Sequence, residues 1–250
     1  MAERWVNFTN LPLLEQARAR LARTLIEGVQ LNMSTEESKK LLRRHVNTKT
    51  NLVIMIIDIN NSTEMSLSLP EHKFALIVQS FAQEVSLAVL GYGGYVFKFE
   101  GDAVILLFPA EYDAAKVCQN ALNCSRSLLE IVKEVINPAF KSIDLPEITV
   151  RIGLEYGYAL IVLYGKNIEK AHLDIIGSSI NLAAKIASIA KPNQVLAGEF
   201  IYYIIRSHTD DNHSLDDSRF EELKLDPAKW KYLSHFSPES MYRVYKYLEN

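Results

Sequence analysis

The sequence predicts an α+β fold of the split βαβ (ferredoxin-like) kind: one mostly antiparallel sheet with helices packed on a face, preceded by a helical leader. Three observations lead there. Short apolar runs rich in β-branched residues alternate with longer stretches that carry apolar residues at three-to-four spacing. Their order reads β, α, β, β, α, β, β, α, β, α, β, with adjacent strands joined by tight turns. Of the 250 residues, 48% are hydrophobic and 23% charged, which supplies one full core and an extension.

Each element has its own local reason. Residues 11–31, "LPLLEQARARLARTLIEGVQL", repeat Leu and Ile between charges and predict an amphipathic helix. Ser34 and Thr35, with Glu37 three residues after Ser34, form a capping-box pattern that starts a second helix over 34–45. Residues 1–48 are therefore a helical extension, with 49–250 as the main domain. The extension lacks a core of its own and suits a lid or a dimer-forming arm.

"NLVIMIIDI" from residue 51 is a continuous β-branched run and predicts a buried strand. Residues 69–90 predict a helix that "GYGG", 91–94, ends. "YVFKFEGDAVILLF" predicts a hairpin whose tip is Glu100-Gly101-Asp102. Residues 111–136 predict a long helix that stops before Pro138, and 148–165 a strand, a turn and a strand. A helix over 177–190, a strand "QVLAG", a helix "EFIYYIIRS", a polar loop over 207–218 and late strands "RFEELKL" and "MYRVYKYL" complete the chain.

Composition narrows the function. A net charge of −3 gives no basic field for nucleic acid. Cys118 and Cys124 have neither metal spacing nor a disulfide framework, which fits a reducing, cytoplasmic setting. The charged N-terminus has no apolar core of a signal peptide, and the apolar runs fall short of the ~18 residues of a membrane span. His45, His72, His172, His208, His213 and His235 show no zinc spacing.

The chemistry concentrates at two acidic strand ends. Asp58 closes the first strand, and the residues after it, Asn61, Ser62 and Thr63, lead into a helix whose first amides lack internal partners and suit an anion. A lone Asp there most often caps a turn. Asp102 changes that reading, because in a split βαβ sheet the hairpin tip lies beside the end of the first strand. Two carboxylates meeting there repel, and a divalent cation with oxygen ligands removes the penalty.

Three stretches carry a resemblance to a known family. "VIMIIDINNST", "VFKFEGDAVILLF" and "LDIIGSSINLAAKIA" together resemble the catalytic domain of the class III nucleotidyl cyclases, over roughly residues 50–200. The resemblance implies a homodimer with composite sites, in which Asp58, Asp102 and the main-chain carbonyl of Ile59 hold two Mg²⁺ or Mn²⁺ ions. The other chain supplies Lys98 and Asp174 to the base, Asn181 to the ribose and Lys185 to the phosphorus. Lys185 stands where the family usually has Arg; it keeps the charge and loses the planar fork. Lys98 only donates and ionised Asp174 only accepts, which fits the adenine edge.

The implied reaction is ATP to 3′,5′-cyclic AMP and pyrophosphate. A cyclase of GTP or a pyrimidine triphosphate, and a nucleotide-binding sensor with weak turnover, are the alternatives. The triphosphate-binding Lys that the family places before the last strand has no match in "KYLSHFSPESMYRV", where Lys231 or His235 would substitute.

Overall fold

The computed structural model describes residues 12–29, 33–208 and 219–248. The predicted tract from 209 to 218, His213 and residues 30–31 of the leader lie outside them.

The sheet is laid down by β1 (Lys49–Ile59), β2 (Tyr95–Glu100), β3 (Ala103–Pro109), β4 (Val150–Tyr164), β5 (His172–Ile176), β6 (Gln194–Gly198), β7 (Phe220–Glu222) and β8 (Val244–Tyr247). Its order is β2-β3-β1-β4-β6-β8-β7, with β5 paired to β4. Every pairing is antiparallel except β4 with β6. The antiparallel character comes from the hairpins β2–β3 and β4–β5, which the turns impose.

Helices α1 (Leu13–Glu27), α2 (Glu36–Arg44), α3 (Ser62–Ser68), α4 (Glu71–Gly91), α5 (Ala114–Ile131), α6 (Asn137–Lys141), α7 (Ser178–Ile189) and α8 (Glu199–Ser207) lie on both faces of that sheet. The continuous apolar run of β1 explains why. Val53, Met55, Ile57 and Ile59 point into one cluster with residues of α1, α4 and α5, and Leu52, Ile54 and Ile56 into another with Leu42 of α2 and Ala183 and Ala187 of α7. A strand alternates its side chains, so apolar residues at every position demand cover on both sides. Gly153 of β4 lets α7 approach closely; a Cβ there would run into the backbone of Ala187.

The leader is built into this core. Ala17 and Leu21 are fully buried, Arg20 pairs with buried Glu84 at 2.7 Å, and Gln83 donates to Thr24 Oγ1 at 2.9 Å. Helix α2 begins one residue later than the capping box predicted. Thr35 is the cap residue, and Ser34 Oγ accepts from the Glu36 N–H at 3.1 Å.

Two further expectations are corrected. The helix from 114 does not stop before Pro138. A π-helical turn, Val132–Ile136, widens the backbone, and Pro138 falls in the first turn of α6, where its missing N–H costs nothing. Residues 148–165 hold no turn. β4 runs unbroken through Gly157, and its hairpin partner is β5, which begins after the intervening residues 165–171. The glycine was misread as punctuation; it lies mid-strand, facing Ser179 of α7.

Helix α4 is long and apolar enough to cross a membrane by composition alone. Here its Ile77, Phe81, Val85 and Val89 fill the core cluster beneath the sheet.

Candidate active site

The strand pattern brings Asp58 and Asp102 to one end of the sheet. β1 and β3 are in register from Leu52↔Pro109 to Ile57↔Val104, so continuing the ladder sets the last residues of β1 beside the β2–β3 turn. That turn is tight because Gly101 adopts φ +63°, a left-handed conformation that glycine takes without strain. Burial pushes the Asp58 carboxyl above its ordinary pKa, and the negative charge of Asp102 adds to the push.

Opposing both is a residue that the sequence reading missed. Arg151 of β4 stands directly across from Asp58 in the ladder and grips it with two hydrogen bonds, Nε to Oδ1 at 3.1 Å and Nη2 to Oδ2 at 2.7 Å. Both side chains are part-buried, so this fork-to-fork pair is partly shielded from solvent. The available signal was an arginine inside the otherwise apolar strand "ITVRIGLE".

Asn61 begins the turn into α3 with φ +57°, and its carbonyl accepts from the Met65 N–H at 3.1 Å. Ser62, Thr63 and Ser66 line an open cleft of about 490 Å³ together with Gly101 and Asp102. Asp102 thus faces a space large enough for a polyphosphate, with hydroxyls opposite.

Lys98 and Asp174 also come together. Lys98 Nζ donates to Asp174 Oδ2 at 3.4 Å, although the residues are 76 apart in sequence. His172 Nε2 is 3.6 Å from the same oxygen, and its ring stacks on Tyr164. A donor-only and an acceptor-only group side by side can read one donor and one acceptor on a base edge.

Asn181 and Lys185 are exposed on α7, four residues apart and so on one face. Among the described residues, no hydrogen bond or ion pair joins them to Asp58 or Asp102. Two groupings are joined by contacts: Asp58 with Arg151, and Lys98 with Asp174. Asp102 lies on the side of the first, and Asn181 and Lys185 stand on α7 outside both groupings among the described residues.

His235, a candidate for triphosphate, is held through its backbone. Its N–H donates to buried Glu199 at 3.0 Å and its ring packs on Phe200. Lys231 is exposed. Around them lies a second group that the sequence reading passed over. Fully buried Glu155 takes the hydroxyl of Tyr242 and the N–H of Tyr156, and burial pushes its carboxyl up to about 8. Burial also pushes the thiols of Cys118 and Cys124 up, which leaves both protonated and unreactive. No group of three or more His, Cys, Asp or Glu side chains among the described residues is arranged to hold a metal.

Comparison with known proteins bears on family and fold. Residues 45–232 match the family model described as the adenylate and guanylate cyclase catalytic domain. A cytidylate cyclase of Escherichia coli is 25% identical over 155 residues, covering 59% of this chain and 34% of that protein. A uridylate cyclase of Rhodovulum sp. (strain MB263) is 27% identical over 173 residues, 66% of each chain. The chain thus spans about a third of the cytidylate cyclase and two thirds of the uridylate cyclase. In fold it resembles the adenylyl cyclase CyaB from P. aeruginosa, with a TM-score of 0.65 at 19% identity over 81% of this chain and 96% of that one. The guanylyl cyclase Cya2 gives the same TM-score at 15% identity, over 81% and 93%.

Proposed function

Because the chain belongs to the adenylate and guanylate cyclase catalytic domain family, we propose that it converts an amino-base nucleoside triphosphate, ATP or CTP, to its 3′,5′-cyclic nucleotide and pyrophosphate. The observation that carries the base assignment is the Lys98–Asp174 pair. Adenine presents a ring-nitrogen acceptor beside an amino donor, and the cytosine edge repeats that order. Guanine and uracil present a carbonyl acceptor beside a ring N–H, the reverse order. Lys98 on β2 supplies the donor and Asp174 on β5 the acceptor, and holding the two in one arrangement would select one order. ATP is the substrate the family pattern implies; the matched cytidylate cyclase favours CTP as the second reading.

Asp58, Asp102 and the Ile59 carbonyl are oxygen donors of the hard kind that suits Mg²⁺ or Mn²⁺, and the repulsion between the two acids is what a cation relieves. These residues would hold two such ions, which supply activation of the attacking oxygen and charge neutralisation on the triphosphate. The chain's own residues do the rest. Asn181 orients the ribose so that the 3′-oxygen lies in line with the α-phosphorus. That oxygen bonds to phosphorus, the bond from phosphorus to the β-bridging oxygen breaks, and pyrophosphate leaves with the electron pair. Lys185 bears on the charge that builds on the phosphoryl oxygens. The 3′-hydroxyl proton passes to water, as no side-chain base is assigned to it.

The two groupings argue for a homodimer in which each site draws on both chains. Tyr158, Tyr164, Ile168 and Ile176 leave apolar surface exposed on and beside the β4–β5 hairpin, which suits burial against a second copy.

Purified chain incubated with each of the four triphosphates and Mn²⁺, with products identified by mass spectrometry, tests the reading. Cyclic AMP or cyclic CMP as the main product supports it; cyclic GMP or cyclic UMP as the main product, or binding with no product, refutes it. Mixing Asp102→Ala with Asn181→Ala chains tests the shared sites: turnover returns in the mixture if one site of the heterodimer is intact.

A further inference from the structure

β2 and β5 carry Lys98 and Asp174, yet they do not pair with each other. β2 is hydrogen-bonded to β3 at the sheet edge, and β5 to β4. The ladder therefore does not set the 3.4 Å between Nζ and Oδ2. The element that spans both strands is α2, the second helix of the leader, which packs on β2 and on β5. Its Leu42 is fully buried in one cluster with Phe97, the neighbour of Lys98, and with Leu173 and Ile175, which flank Asp174. The next residue, Arg43, clasps the loop that leads into β5. Its Nη2 donates to the Glu169 carbonyl at 3.3 Å, and its guanidinium lies 3.8 Å from the Glu169 carboxylate. Between α2 and these strands is a polar cavity of about 510 Å³ with Lys39 and Arg43 on one wall and Lys98 and His172 on the other.

We propose that α2 is a base-selectivity element: through Leu42 and Arg43 it sets the spacing of Lys98 and Asp174, and so which base the chain accepts. The inference rests on the base-reading role of that pair given above. Leu42 and Arg43 are positioning residues that need not touch the nucleotide. Discrimination of amino from keto bases requires the donor and the acceptor to stay in fixed order and at fixed reach. A pair free to drift by an ångström satisfies both kinds of base from flexible side chains, and loses selectivity before it loses catalysis.

The test uses the full chain with Leu42→Ala, Arg43→Gln and Lys98→Ala. The readout is the ratio of kcat/KM between the best and the worst of the four triphosphates. Beside it stands the equilibrium affinity for α,β-methylene analogues of those two, which needs no turnover. The ratio should fall by at least about tenfold in Leu42→Ala and severalfold in Arg43→Gln, in keeping with the large cost of ångström-scale misplacement. Leu42→Met, which refills the space, should restore it. Arg43→Gln keeps the test valid if Leu42→Ala does not fold. Unchanged ratios in both α2 variants, beside a collapsed ratio in Lys98→Ala, overturn the role of α2 and leave the base-reading pair standing. Unchanged ratios in all three overturn the pair, and the role of α2 with it.

Discussion

Asp58 beside Asp102, and Glu155 beside Glu199, are two carboxylates whose proton affinity burial and a neighbouring acid raise, and the fold treats the two pairs in opposite ways. Glu199 is fully buried and takes three internal donors: Ser234 Oγ at 2.9 Å, the His235 N–H at 3.0 Å and the Arg243 N–H at 3.1 Å. Glu155 is equally buried, takes the Tyr242 hydroxyl and the Tyr156 N–H, and escapes the cost of a second buried charge by keeping its proton. Asp58, by contrast, is gripped by a single arginine, and Asp102 faces an open cleft. One pair is completed from within the chain. The other shows one guanidinium for two acids among the described residues, and under the proposed function this surplus of negative charge at a cleft is what an external cation would complement.

Removing a member of each pair should separate the two kinds. Asp102→Ala should lower metal-dependent turnover at least about 10³-fold, the scale of losing a main electrostatic stabiliser, while the melting temperature stays within a few degrees of the parent. Turnover above a tenth of the parent's would remove Asp102 from the metal site. Glu199→Ala should do the reverse to stability. It strands three donors, the buried Ser234 hydroxyl and two part-buried N–H groups, at a cost of about 3 kcal/mol, which for a chain of this size lowers the melting temperature by roughly 6–12 °C. Calorimetry on Glu199→Gln, which keeps an acceptor oxygen, should show a smaller drop; an equal drop would mean that the charge, and not the hydrogen bonding, matters.

That contrast was only half legible in the sequence. Asp58 and Asp102 stood out because each ends an apolar run, and an acid at a strand end advertises itself. Lys98 and Asp174 were found through the family's motif spacing, since nothing local links residues 76 apart. Most elements were readable because period and punctuation agreed, as in "QVLAGEFIYYIIRS". The two local failures had one cause. Glycine and proline ordinarily punctuate, whereas a strand packed against a helix tolerates Gly157 and a π-turn absorbs Pro138. Glu155 and Arg151 carried a signal, a charged residue inside an apolar strand, but what compensates each is set by register. Arg151 meets Asp58 only because β1 and β4 pair as they do. The role of α2 was hidden for the same reason: Leu42 looks like any amphipathic leucine until Phe97 and Leu173 are placed beside it.

The proton on Glu155 gives the comparison a pH axis. The folded chain holds it up to about pH 8, whereas an unfolded chain releases it near 4.5. Between those values folding takes up a proton, so the contribution is complete below about pH 4.5 and is lost as the pH rises towards 8. Glu155→Gln keeps the shape without the titration, and should flatten the fall in stability between pH 5 and 8 by an amount on the order of a few kcal/mol. Denaturant midpoints at pH 5 and 8 measure this. A parent chain equally stable at both values would mean that Glu155 is ionised when buried, and that its hydrogen bonds resemble those of Glu199 more than its surroundings suggest.

The smallest effect belongs to Arg151, the ion-pair partner of Asp58. In the metal-free chain its bidentate grip offsets the burial of Asp58. Arg151→Gln removes that charge and should destabilise the metal-free chain by about 1–2 kcal/mol, because a part-buried carboxylate loses its counter-charge. A cation can then take over what the guanidinium did, without competing with it. Added Mn²⁺ should therefore raise the melting temperature of the variant by more than it raises that of the parent, a readout independent of turnover. If Mn²⁺ stabilises parent and variant equally, Asp58 is not where the ion binds, and the surplus charge of the open pair serves something other than metal. If it stabilises the variant less, Arg151 organises the ion's ligands instead of standing in for the ion, and the open pair would then be as internally prepared as the buried one.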